Sequence, residues 1–116
     1  MRIVVASSGL DIAASFASCE NFNYYTTQSY EIIASQNIPA QGLSAEEYAA
    51  LMEKMEVDAI ICDGMSAMAR NAFEAHCIKV YEGKQGNALQ AAQELVSSLA
   101  EELDRGNDGF DDEDFE

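Results

Sequence analysis

Val57-Asp58-Ala59-Ile60-Ile61-Cys62-Asp63-Gly64-Met65-Ser66 is the stretch on which the fold turns. Ala59 to Cys62 is apolar without alternation, the pattern of a strand covered on both faces, as in a parallel sheet. Asp63-Gly64 supplies a tight turn, and a helix opens at Ser66 and runs to about Ala75. Ile78-Lys79-Val80-Tyr81 gives the next strand. The three pieces form a β-α-β unit with the usual right-handed crossover. Ligands on such sheets lie beyond the carboxyl ends of the strands, which here places a site at Cys62 to Ser66.

Working outward, Ile3 to Ala6 is a second continuous apolar run and reads as a central strand. It stops at Ser7-Ser8-Gly9, too short for the apolar region of a secretory signal. The expectation is therefore a cytoplasmic chain. Ile12 to Phe16 reads as a short helical turn capped by Asp11. Phe22, Tyr24 and Thr26 alternate with Asn23 and Tyr25, and Tyr30, Ile32 and Ala34 repeat the period, so a hairpin half-buried on one face is expected around Gln28-Ser29. Pro39 and Gly42 break that pattern. Ser44-Ala45-Glu46-Glu47 is a capping box, with Leu43 and Tyr48 in the flanking apolar positions. Tyr48, Leu51, Met52 and Met55 then form one helical stripe.

Beyond Gly83 and Gly86, Leu89, Ala92, Val96, Leu99 and Leu103 predict a long helix starting near Asn87 with one buried face. Gly106 is a natural stop. The resulting order, β-β-β-α-β-α-β-α, describes a hairpin-bearing mixed sheet in one domain, residues 1–106. Residues 107–116 are expected to form an acidic disordered tail.

The chain has 116 residues and a net charge of −15. From Glu101 onward nine acids face Arg105 alone, a net −8, which leaves −7 for residues 1–100. A body of that sign repels a phosphate backbone, so nucleic acid is not an expected partner. No apolar run approaches the roughly 20 residues of a membrane span. Cys19, Cys62 and Cys77 are an odd set without paired spacing, which argues against a disulfide framework.

Several stretches resemble one family. Met1 to Ala6, Phe16 and Phe22, Val57 to Met65, and Ala75-His76-Cys77-Ile78-Lys79-Val80-Tyr81 are similar to the dinitrogenase iron–molybdenum cofactor biosynthesis family, whose members carry or insert nitrogenase metal clusters. The resemblance covers roughly residues 1–100. It implies a ribonuclease-H-like α/β fold, a five-stranded mixed sheet of order 3-2-1-4-5 with helices on both faces. Two departures stand out. Ser15-Phe16-Ala17-Ser18 occupies the family's His-Phe-Gly-Arg positions, so Ser15 stands where the metal-ligating histidine would be. Asp63-Gly64-Met65-Ser66 replaces its Gly-Gly-x-Gly turn.

If the first and fourth of those five strands are parallel neighbours, their exit loops share a crevice holding Ser7, Ser8, Gly9, Asp11, Cys19, Cys62, Asp63 and Met65. Thiolates suit soft metals and iron–sulfur clusters, and a carboxylate can complete such a site. Cys19, Cys62 and Asp63 are therefore the expected metal ligands, with Ser15, Gly64 and Met65 beside them in a cofactor site. Cys62 and Cys77 equally suit small core positions, as Met65 does on a stripe with Ala69 and Phe73, and His76 suits a helix C-terminus. A nuclease needs clustered carboxylates, and Ile3 to Ala6 offers none.

The expectation is a non-enzymatic carrier of an iron–sulfur or iron–molybdenum-type cluster, working with a protein donor or acceptor. The alternative is a regulatory or protein-interaction domain of the same fold that has lost metal binding. Asp111-Asp112-Glu113-Asp114, flanked by Phe110 and Phe115, would suit a basic partner.

Overall fold

A computed structural model describes the backbone of residues 1–115 and the side chains of residues 1–102. Its elements are β1 (Arg2–Ser8), β2 (Asp11–Ile12), β3 (Asn21–Gln28), β4 (Glu31–Pro39), α1 (Ala45–Lys54), β5 (Ala59–Ile61), α2 (Ala67–Ala75), β6 (Lys79–Tyr81) and α3 (Ala88–Phe115). The protein is a mixed α/β fold. Its sheet runs β4-β3-β1-β5-β6, with β2 paired to β1 off that path. β3 is antiparallel to β1, and β5 is parallel to both β1 and β6.

The expected five-stranded order 3-2-1-4-5 is therefore corrected to a six-stranded sheet. The added strand is β2, where a helical turn was expected. Gly9, at φ 71°, lets the chain reverse at once, so Ser8 pairs Asp11 and Ser7 pairs Ile12. The Ile12 amide donates to the Gly86 carbonyl at 2.8 Å, which wedges β2 between β1 and the start of α3.

Two apolar layers result, one on each side of the sheet. Val4, Ala6, Phe22, Tyr24, Ile60 and Cys62 face α1 and α2. Ile3, Val5, Tyr25 and Ile61 face α3. Asn21 to Tyr25 are all buried, so β3 is covered on both faces rather than one. The exposed strand is β4, at the sheet edge.

The Ser44 capping box is present: the Glu47 amide donates to Ser44 Oγ at 3.1 Å, and the Ser44 amide donates to Glu47 Oε1 at 2.9 Å. In α3 the buried face is Ala88, Ala91, Ala92 and Val96, while Leu89 is exposed. Ala92 and Val96 of the expected stripe are buried and Leu99 is half-buried, so the departure is at Leu89, in the first turn. Asn87 bridges Asp11 and caps the first turn, accepting the Gln90 amide at 2.9 Å. Small alanines then let α3 approach the sheet closely. The backbone of α3 continues through Gly106 to Phe115, so the helix stop expected at Gly106 is corrected. The inward-facing Leu103 side chain and the side chains of the tail 107–116 fall outside the described residues.

Candidate functional site

The site expected from the sequence splits between the two sides of the sheet. Side chains alternate along β1, so Ser7 shares the α3 face of Ile3 and Val5. Ser7 is fully buried; its hydroxyl donates to Val5 O at 2.9 Å and accepts from Asn23 Nδ2 at 2.8 Å. Asn21 Nδ2 donates to Gly9 O and to Asn37 Oδ1, and the Gly9 amide donates back to Asn21 Oδ1 at 2.7 Å. These groups lock the β1–β2 turn. They are committed to that turn, and Asp11 is held in β2. The repeat of Asn at 21 and 23 was the signal for this network: two amides on one face of a buried strand need buried partners.

On the other face, at the carboxyl end of β5, Cys62 is fully buried. Its amide donates to Tyr81 O at 3.0 Å and its carbonyl accepts from the Lys84 amide at 3.2 Å. Burial, with Glu82 and Asp63 nearby, pushes its thiol up to about 11. Cys19 packs half-buried against the same apolar cluster, and its thiol is also raised by burial. The two side chains thus meet the same apolar cluster. Both are therefore neutral thiols at pH 7 rather than primed thiolates.

The loop carrying Cys19 is fastened across the loop carrying Cys62 by backbone. The Phe16 amide donates to Gly64 O at 2.8 Å, and the Cys19 amide donates to Phe16 O at 3.3 Å. The Phe16 ring meets Tyr48 and Phe73 edge-on, at 5.8 and 5.4 Å between centroids. Ser15 faces outward and turns the loop: its hydroxyl lies 2.8 Å from Ser18 Oγ and accepts the Ser18 amide at 3.2 Å.

Asp63 is half-buried; its carboxylate accepts from Gln85 Nε2 at 3.3 Å and its carbonyl accepts the Gly83 amide. A side chain at Gly64 would meet Ala14 O at 3.9 Å, ordinary contact, so space does not demand glycine there. Met65 packs on the core, and its carbonyl lies 3.5 Å from Arg70 Nη2. Arg70 grips Glu82 in a two-pronged pair at 2.6 and 3.0 Å, closing the β6 side. Ser66 caps α2 by accepting the Ala69 amide.

The structure thus brings Cys19, Cys62, Gly64 and Met65 together around Phe16, with Ser15 and Asp63 at the rim. Among the described residues, no group of three or more His, Cys, Asp and Glu side chains is placed to hold a metal ion. Cys77 lies outside the site and outside β6: it follows α2 with φ 62° and is exposed, not a small core residue. His76 ties helices together, Nδ1 lying 2.6 Å from Glu53 Oε1 and Nε2 lying 3.0 Å from Glu46 Oε1. Among the described residues, no helix is long and apolar enough to cross a membrane.

Residues 1–98 match the model of a family described as dinitrogenase iron–molybdenum cofactor. No curated protein matches the chain. Among solved structures, a proposed dinitrogenase of Methanocaldococcus jannaschii is similar at TM-score 0.71 and 18% identity, over 84% of this chain and 89% of that one. The apo form of the orange protein from Desulfovibrio gigas gives TM-score 0.71 and 21% identity, over 84% and 88%. A proposed NifB protein of Thermotoga gives TM-score 0.64 and 23% identity, over 84% and 87%. At these identities the likenesses establish the fold alone.

Proposed function

The chain belongs to the dinitrogenase iron–molybdenum cofactor family, and from that premise we propose that it is a non-enzymatic module that receives a metal cluster as cargo and passes it to a protein partner. The cargo site is the crevice between the 13–19 and 62–65 loops. Cys19 is the first sulfur ligand, being the half-buried thiol nearest solvent, and Cys62 is the second. Asp63 supplies a carboxylate at the rim, while Ser15, Gly64 and Met65 line the approach.

The observation that carries this reading is the convergence of Cys19 and Cys62 on one apolar cluster at the carboxyl end of β5. Each thiol that ligates must give up its proton, and a bound metal cation lowers the thiol pKa enough to release it to water. Apolar walls suit such cargo by excluding solvent. The raised thiols then hold a cluster weakly, as a carrier requires, because binding must first remove protons.

The test is anaerobic reconstitution of the whole protein with ferrous iron and sulfide, followed by gel filtration, iron analysis and visible absorption. Co-eluting iron and cluster absorption are expected, with both lost in Cys19→Ala. Iron retained undiminished in Cys19→Ala would remove that residue from the site. A second reading, a protein-interaction domain without cargo, is favoured by one observation: Ser15 is engaged in a turn rather than offered as a ligand. It predicts no iron in the wild-type protein and none after Ser15→His.

A further inference from the structure

The sheet ends in an edge that is unusual in what it lacks. Among the described residues, β4 pairs with β3 alone, so its outward N–H and C=O groups face water. At about 3.4 Å per residue, its nine residues present roughly 30 Å of open edge. Natural edges are guarded by charge, by proline or by distortion. Here residues 32–39 carry no charge at all, and Pro39 comes only at the end. A register shift opposite Thr26 and Thr27 irregularises one end and leaves Ala34 to Pro39 in continuous register with β3.

Beside this edge, between β4 and α3, runs an open groove of about 550 Å³. Leu10 is 72% exposed, Ile33 58% and Leu89 40%, and all three line it. Asn23, Tyr25 and Asn37 also line it. Side chains on one face of an added strand would land on those apolar groups, while its backbone completed the sheet.

Charge decides the occupant. Between Arg2, the first residue of β1, and Lys54, the last of α1, there is no Lys, Arg or His, but there are Asp11, Glu20, Glu31, Glu46, Glu47 and Glu53, of which Glu46 and Glu53 meet His76. The described part of α3 adds Glu94, Glu101 and Glu102, again without a cation. Among the described side chains the cations lie elsewhere: Arg2 pairs Glu56, Lys54 closes α1, Arg70 pairs Glu82, Lys79 lies on β6 at the opposite sheet edge, and Lys84 follows it. A second copy approaching this half would meet a body of its own sign. A cationic chain would be drawn in.

We propose that the open edge of β4 and the adjoining groove take an extended basic segment of a protein partner by strand addition. The segment alternates basic with apolar residues, the apolar ones seated against Leu10, Ile33 and Leu89, the basic ones facing the carboxylates of this half. Main-chain hydrogen bonds give the affinity and the alternate side chains the specificity. This inference stands apart from the cargo reading, since none of its residues belongs to the Cys19–Cys62 crevice.

The probe is a labelled peptide of alternating Lys and Val, of β4's own length, titrated into the whole protein by fluorescence anisotropy. A matched peptide with Pro in place of Val has the same charge and lacks half the amide donors. The Lys-Val peptide should bind about tenfold or more tightly than the Lys-Pro peptide, and weaken as salt rises from about 50 to about 300 mM. Amide shifts on binding should concentrate at Glu31 to Pro39. Ile33→Lys with Ser35→Lys should weaken binding about tenfold while melting as the wild type does. Equal binding of the two peptides, or shifts centred away from β4, would overturn the proposal without recourse to the variant. So would a wild-type dimer in sedimentation that the double variant abolishes, since a second copy would then hold the edge.

Discussion

The amide of Phe16 and the carbonyl of Gly64 are joined at 2.8 Å, and this bond sets the architecture of the crevice. It clamps one exit loop onto the other and delivers the Phe16 ring to Tyr48 and Phe73.

Removing that ring should loosen both loops. Phe16→Ala is expected to cost about 3–5 kcal/mol, measured by urea unfolding, because a buried aromatic leaves a cavity among Phe22, Tyr48 and Phe73. Its second readout is faster labelling of Cys62 in the native protein. An unchanged labelling rate would mean that Phe16 does not cover the thiol.

The three thiols should separate by reactivity. Cys77 is exposed and should react first with a chromogenic disulfide at pH 8. Cys19, half-buried and raised, should follow slowly. Cys62, buried and pushed up to about 11, should react slowest of the three, as the crevice loops open. Cys77→Ser should abolish the fast phase and nothing else.

The β3–β4 hairpin turns on Ser29 and Tyr30, both left-handed at φ 53° and 64°. That two-residue geometry favours Asn-Gly, so the native pair is strained. Ser29→Asn with Tyr30→Gly is expected to stabilise the protein by about 1 kcal/mol, raising its melting temperature by about 4–8 °C. Tyr30 is exposed and gives up little packing in exchange.

His76 should make stability pH-dependent. Hydrogen bonds first to Glu53 and then to Glu46 raise its pKa in the folded protein. The imidazolium is thus favoured by folding. Its contribution is fully present below the unfolded value of about 6.5 and is lost as pH rises through the folded value. The difference in urea midpoint between wild type and His76→Gln should therefore shrink on going from pH 6 to pH 9. A difference that grew with pH would contradict the pairing.

The β5-α2-β6 unit was legible because a continuous apolar run and a capped helix have no other economical solution; α1 was legible through Ser44 and Glu47. The antiparallel hairpin followed from period two. β2 escaped because two residues carry no period, and its existence rests on Gly9 and on long-range partners such as Gly86. Leu89 misled for a related reason: its spacing fits the apolar stripe as well as Ala88 and Ala91 do, and which of them turns inward depends on long-range ties at the helix start, such as Asn87 to Asp11 and Ala88 to Leu10. At the site, the sequence could place Cys62 and Met65 at a strand end, but which face each β1 residue takes depends on the pleat. That is why Ser7 and Asp11 part company from Cys19.

The Phe16–Gly64 fastening is made by backbone atoms, and the Phe16 ring supplies the only side chain it needs. That fastening is indifferent to the side chain at 17, whereas Ser15 and Ser18 close the turn with each other. Histidine or a thiol at 15 would keep the backbone fastening and give up the Ser15–Ser18 pairing. What the loop displays and what holds it in place are therefore carried largely by different atoms.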